Sequence, residues 1–253
     1  MTQLGAVVAR INVTPVKGLR LDNPGAVELT AAGARDDRRF LLVDRQGRLV
    51  NGKRIGGRLN LAAAAWDAGE ERLTVRLPGG EEVSALVERR DELEVEVYGR
   101  HLRCRVVDGP YAEALSGLAG LEVQLVERPE GSWATDARPA TLVSQASLDA
   151  FGGDGRRFRM LLELDGLDAY GEERWQGWRV GVGETELLVE QPTPRCALPS
   201  YDPDTGERTG DMLREILDGR GAIEGLPCLG VYAEVVGAGV VRVGDAVERV
   251  GSP

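Results

Sequence analysis

Short apolar runs that alternate with charged residues, each cut off by glycine, proline or aspartate, are what most limits how this chain can fold. Ala6–Val13, Phe40–Asp44, Leu73–Leu77, Leu93–Val97, Leu102–Val107, Leu121–Val126, Glu186–Gln191, Gly230–Val236 and Ala246–Val250 all read as strands. Alternation gives each run one face for a core and one for water. Arg45-Gln46-Gly47 and Pro78-Gly79-Gly80 read as hairpin turns. Many short strands at regular spacing point to barrels, not to a doubly wound parallel sheet. Helices are few and short. Tyr111–Leu118 follows Pro110, Ser144–Phe151 opens on a capping serine and stops at Gly152-Gly153, and Asp211–Leu217 sets Met212, Leu213, Ile216 and Leu217 on one face.

With 253 residues the chain can bury a sizeable core as one or two domains. The turn from strands to helix near Val107-Asp108-Gly109-Pro110 suggests a division into 1–108 and 109–253. A net charge of −10 disfavours a nucleic-acid partner. The N-terminus lacks a basic leader, and no run has the length of a membrane span, so a cytoplasmic protein without a membrane partner is expected. Three scattered cysteines, Cys104, Cys196 and Cys228, with no C-x-x-C pair, exclude a four-cysteine metal site within one chain and fit a reducing compartment. His101 is the only histidine and lies in a strand-like alternation, so a histidine-ligated metal cluster is excluded and a structural role is expected. The polar stretch Glu127–Pro139 has the length of loops that often carry function.

The segment richest in chemistry is Gln191-Pro192-Thr193-Pro194-Arg195-Cys196-Ala197-Leu198-Pro199, followed by the turn Asp202-Pro203-Asp204-Thr205-Gly206. A strand leads in and a helix follows. Prolines stiffen the loop, and an arginine beside a thiol favours the thiolate, which is the nucleophile and soft-metal ligand. An inert buried cysteine is the competing reading at Cys196. Cys104 shares its phase with Leu102 and Val106, and Cys228 opens a β run, so both are expected in the core.

Arg195-Cys196 followed by Asp202–Gly206 resembles the cysteine loop of MOSC proteins, named for the molybdenum cofactor sulfurase C-terminal domain. The subgroup it looks most like includes the mitochondrial amidoxime-reducing component and its bacterial relatives. Thr14-Pro15-Val16-Lys17-Gly18, Asp37-Arg38-Arg39-Phe40, Leu142–Leu148, Arg157-Phe158-Arg159, Gly230–Val235 and Val243–Val247 are similar to further family segments in the same order. The resemblance implies a mainly β fold, with an N-terminal β domain and a MOSC barrel sharing a cleft. It implies a molybdenum cofactor of the molybdopterin type, with its metal on Cys196 and its anionic parts held by Lys17 and Arg159. Thr193 and Arg195 of the cysteine loop, and Lys53 or Arg54 of Val50–Arg54, would add contacts. Pyridoxal phosphate binding is implied only at the level of the family at large, and no desulfurase activity is expected of this chain. Met160-Leu161, Pro194, Pro199-Ser200-Tyr201 and Gly18 depart from the usual pattern, so a reshaped pocket is expected.

The activity implied is reduction of N-hydroxylated or otherwise N- or S-oxygenated small molecules. With three scattered cysteines and an end at Pro253, electrons are expected from a separate ferredoxin- or flavoprotein-type partner. A cofactor carrier or sulfur-handling protein without turnover is the alternative, and a cofactor-free protein with a reactive cysteine a third.

Overall fold

A computed structural model of the protein describes residues 2–250; Met1 and 251–253, the outer ends of the two expected domains, lie outside it. Seven strands close into a barrel in the order Thr2–Ile11, Leu162–Asp165, Ala140–Ser144, Cys228–Gly237, Thr185–Pro194, Arg179–Val182 and Ala246–Arg249, the last pairing back onto the first. The mainly β expectation holds. Inside the barrel lie Ala6, Val8, Leu142, Leu164, Val180, Leu187, Val189, Val231 and Val247, each under a tenth exposed. Thr185–Pro194 shows why the sequence gives a strand, since Thr185, Leu187 and Val189 are buried while their neighbours are only partly so.

The one parallel pairing in the barrel joins Ala140–Ser144 to Leu162–Asp165. A parallel pair cannot be closed by a tight turn and needs a crossover. Residues 145–161 make it, through the helix Gln145–Asp149, whose N-cap Ser144 Oγ accepts from Ser147 N at 3.2 Å, and the turn Gly155–Arg157. Phe158 and Met160, both nearly fully buried, pin the far end of this crossover against Met212 and Ile216 of the helix Met212–Arg220. Arg159 stands between those two anchors.

A second body packs beside the barrel. Its four-stranded sheet runs Phe40–Val43, Gln124–Glu127, Arg100–Asp108, Glu88–Val97, and a meander of Ala63–Asp67, Arg72–Arg76 and Glu82–Leu86 lies near it. Their shared core holds Phe40, Leu42, Leu73, Val75, Leu125 and, from the helix Tyr111–Ala119, Tyr111 and Leu115. Cys104 lies on the other sheet face with Leu41, Val95, Val97 and Val126. Strand pairing crosses position 108 in both directions: Thr2–Ile11 closes the barrel, and Gln124–Glu127 sits inside the four-stranded sheet. Among the described residues no helix is long and apolar enough to cross a membrane.

Candidate functional site

Two loops that are far apart in sequence zip together to make one wall of a cleft. Arg38 N donates to Thr14 O at 2.6 Å, Phe40 N to Pro15 O at 2.8 Å, and Lys17 N to Phe40 O at 2.8 Å. Thr14 N is taken by Asp37 Oδ1 at 2.9 Å. This lacing explains why Thr14–Gly18 and Asp37–Phe40 matter as a pair: together they bring Lys17 and Arg38 to the cleft with little side-chain exposure. Lys17 Nζ donates to Ala134 O at 2.6 Å, tying the wall to the 128–139 loop.

The crossover supplies the floor. Arg159 has φ of +56°, a left-handed conformation that a side chain of this size rarely adopts. Its guanidinium is fixed by bonds to Asn60 Oδ1 at 2.8 Å and Leu19 O at 2.7 Å, and Arg38 donates to its carbonyl at 3.2 Å.

The cysteine loop forms the facing wall. Proline cannot donate to a ladder. Register shifts at Pro192 and Pro194, and the strand leaves its partner once Pro194 has paired with Cys228. Thr193 keeps the inward phase of the strand and is 3% exposed, while Cys196 follows in the loop as a half-exposed free thiol. The Arg195 guanidinium is anchored on the crossover, donating to Phe158 O and, at 3.1 Å, to Met160 Sδ. The Met160 departure from the family pattern is therefore a wall that holds Arg195. Gly52 lets the short helix Gly52–Ile55 press on Leu198, because a Cβ there would clash with that side chain. That contact sets Lys53 at the rim.

The cleft has a cavity volume of about 120 Å³ and is partly open to solvent. Its lining joins Lys17, Arg38, Lys53 and Arg159 with Thr193, Arg195 and Cys196. Burial pulls the Lys17 ammonium down to about 7, with the Arg38 and Arg159 charges lowering it further and Asp136 and Asp37 opposing. Burial, and then Arg38, pulls Arg159 down to about 9. A like-charged, desolvated group of this kind is stabilised by a bound anion. Thr193 Oγ1 and Arg195 Nε are buried without any hydrogen-bond partner, so the walls also carry unspent polar capacity. Burial pushes Tyr232 up to about 12 and raises Tyr98 as well, so both phenols stay protonated.

Of the residues expected at the site, Lys17, Lys53, Arg159, Thr193, Arg195 and Cys196 share this cleft. Arg54 does not: its guanidinium turns to Asp44 at 3.0 Å, because Asn51 caps the helix through Lys53 N at 2.9 Å and orients the two basic residues differently. His101 lies outside the cleft lining, exposed beside Glu94 at 3.2 Å. The 128–139 loop does reach the site, through Thr135 and Asp136. Sequence reasoning missed Tyr98, Asp136, Tyr232 and the side chain of Arg38 as lining groups. The available signal for Tyr98 was a bulky residue before glycine in a hairpin turn.

Two family models match the chain: the MOSC N-terminal beta barrel domain over residues 5–113 and the MOSC domain over residues 132–248. The mitochondrial amidoxime-reducing component 1 of Xenopus laevis is 25% identical over 99% of this chain and 83% of its own length. Its Mus musculus counterpart is 30% identical over 46% of this chain. The molybdenum cofactor sulfurase of Anopheles gambiae is 28% identical over 84% of this chain. The matches span only 38% of the mouse protein and 32% of the mosquito protein. Both models fall in the order the motifs suggested and together take in most of the sequence, and the chain belongs to the MOSC family.

Proposed function

We propose that the cleft holds a molybdenum–pterin cofactor and that the protein is an oxidoreductase which reduces N-hydroxylated or other N- or S-oxygenated small molecules. The observation that carries this reading is the meeting, in one cleft, of the half-exposed Cys196 thiol with the buried cations Lys17, Arg38 and Arg159 and two unpartnered donors. Those groups fit the cofactor: a soft thiolate suits the metal, and the desolvated cations suit the anionic tail. Arg159 offers a planar fork held by Asn60 and Leu19, and Lys17 a point charge. Lys53 closes the rim, while Thr193 Oγ1 and Arg195 Nε supply polar contacts. When bound, the cofactor supplies the two-electron chemistry. Phe158, Met160 and Leu198 limit water at the cleft. The protonated Tyr232 hydroxyl lines it as a neutral hydrogen-bond donor. Removing oxygen from an N-hydroxyl group consumes two electrons and two protons and releases water. The similarity to proteins named amidoxime-reducing components supports the substrate class. A separate ferredoxin- or flavoprotein-type partner would deliver the electrons, in the cytoplasm.

The test is metal and pterin analysis of protein made in a host that synthesises the cofactor, followed by assay on a benzamidoxime with chemically reduced dye as donor. Molybdenum near one atom per chain, with turnover, is expected. Loaded protein that retains cofactor but never turns over would support the carrier reading, and protein without molybdenum or pterin would sink both.

A further inference from the structure

The hairpin formed by Glu88–Val97 and Arg100–Asp108 ends in a two-residue turn, Tyr98-Gly99, because Val97 pairs directly with Arg100. Both turn residues have positive φ, +51° and +79°. Such turns favour asparagine or aspartate before the glycine, and a large aromatic in this backbone region is strained. The tyrosine is out of place for the turn and in place for the cleft. The Lys17 ammonium stands over its ring at 5.0 Å from the centroid, and the Lys53 ammonium at 4.9 Å. Asn51 Nδ2 donates to its hydroxyl at 3.4 Å. The hairpin tip is held down by Arg100, which donates to the carbonyls of Thr135 and, at 3.3 Å, Asp136, and stacks over Trp133 at 4.7 Å. Strain is tolerated where surrounding structure fixes it and the position is used.

We propose that Tyr98 is a positioning residue: the hairpin tip gathers the Lys17 and Lys53 side chains, which come from loops 36 positions apart, over one aromatic ring so that both can face a single phosphate-type anion. Two ammonium groups left to themselves repel. The electron-rich face of a ring attracts each without adding a further full negative charge to compete with the ligand. Asp136, at 3.7 Å from Lys53, balances the rim charge without occupying the ring. Tyr98 acts through the lysines and is given no contact with a reacting atom.

The inference rests on the reading of the cleft as an anion site, so its test uses two probes. Inorganic pyrophosphate is titrated calorimetrically into cofactor-free protein, and pterin retention is measured on protein from a cofactor-competent host. Tyr98→Phe keeps the ring and should stay within about twofold of wild type in both. Tyr98→Leu keeps bulk without the ring, and Tyr98→Asn relaxes the turn, so folding is protected in at least one. Both should weaken pyrophosphate binding by about tenfold, the order of one or two lost cation–π contacts. Wild-type affinity in the Leu and Asn variants, or a loss in Phe equal to that in Leu, overturns the assignment. Absence of pterin from wild-type protein would count against the cofactor reading, while the pyrophosphate series still judges Tyr98.

Discussion

Cys196 and Cys104 are both free thiols, and their surroundings set them apart. Cys104 is fully buried among Leu41, Val95 and Val126, and burial pushes its thiol up to about 11. Cys228 is also buried and raised for the same reason. Cys196 is half-exposed at the cleft. In the cofactor-free protein an alkylating reagent should modify Cys196 first, as peptide mapping will show, and Cys196→Ser should abolish activity with little change in Tm. Cys104→Ser should do the opposite, costing about 1–3 kcal/mol as a hydroxyl enters an apolar core. First labelling at Cys104 would contradict the ligand assignment. Lys17 gives a pH prediction. Its folded value of about 7 lies below the ordinary 10.5, so between those values the unfolded chain holds a proton that the folded chain has released. Stability then rises with pH across that window, and the full penalty is present below about 7. Cofactor-free Lys17→Met should be more stable than wild type at pH 6 by a few kcal/mol, at about 1.4 kcal/mol per pKa unit, with the gap closing toward pH 10.5. A gap independent of pH in denaturant titrations would remove the case for a desolvated lysine.

At the scale of elements, the Asp202–Gly206 turn that helps mark the family lies outside the cleft lining. It fastens the cysteine loop to the crossover. Arg157 donates to Asp202 at 3.2 Å, Pro199 O at 3.2 Å and Thr209 Oγ1 at 3.1 Å, while Arg156 bridges Asp204 and Asp154 nearer the surface. Exposed pairs contribute little, so Arg156→Ala should change stability by less than about 1 kcal/mol. Arg157→Ala leaves a carbonyl of the cysteine loop without its donor and should lower both Tm and molybdenum content. Equal effects of the two substitutions on molybdenum content would refute this division. The same elements show what a sequence can disclose. Strands with one wet face, such as Leu93–Val97 and Leu102–Val107, were legible from alternation. Leu162–Asp165 was not, because its Leu-Glu-Leu-Asp alternation is only four residues long and follows directly on the apolar Met160-Leu161, which blurs the period. Ala63–Asp67 was hidden by its alanines, which carry no strand preference. At the site, motif residues near Cys196 and Lys17 were legible because their order along the chain is informative. Tyr98 and Asp136 were not, because they reach the cleft only through pairings set by the finished hairpin and loop.

For the whole molecule, the change from strands to helix near Val107-Asp108-Gly109-Pro110 suggests a division into 1–108 and 109–253, and we propose that it separates two functional halves and not two folding units. Thr2–Ile11 supplies the barrel strand that pairs on one side with Leu162–Asp165 and on the other with Ala246–Arg249. Without it the barrel has two open edges and loses Ala6, Val8 and Ile11 from its core. Conversely, Gln124–Glu127 lies between Phe40–Val43 and Arg100–Asp108, so a chain ending at 108 splits its own sheet and also lacks Tyr111 and Leu115. Glu127 deepens the dependence: it is nearly buried and accepts from both Arg39, at 2.6 Å, and Arg89, at 2.5 Å, so cutting it away removes a carboxylate that two guanidiniums of the sheet share. Each fragment made alone should therefore be aggregated or lack cooperative melting, and the intact chain should unfold in one calorimetric transition with equal calorimetric and van't Hoff enthalpies. Fragment 109–253 extended by a covalently linked copy of residues 2–11 should recover solubility, because that strand closes both edges. A soluble, cooperatively melting 109–253 without that strand would show that the barrel closes by some other pairing and that the halves fold independently.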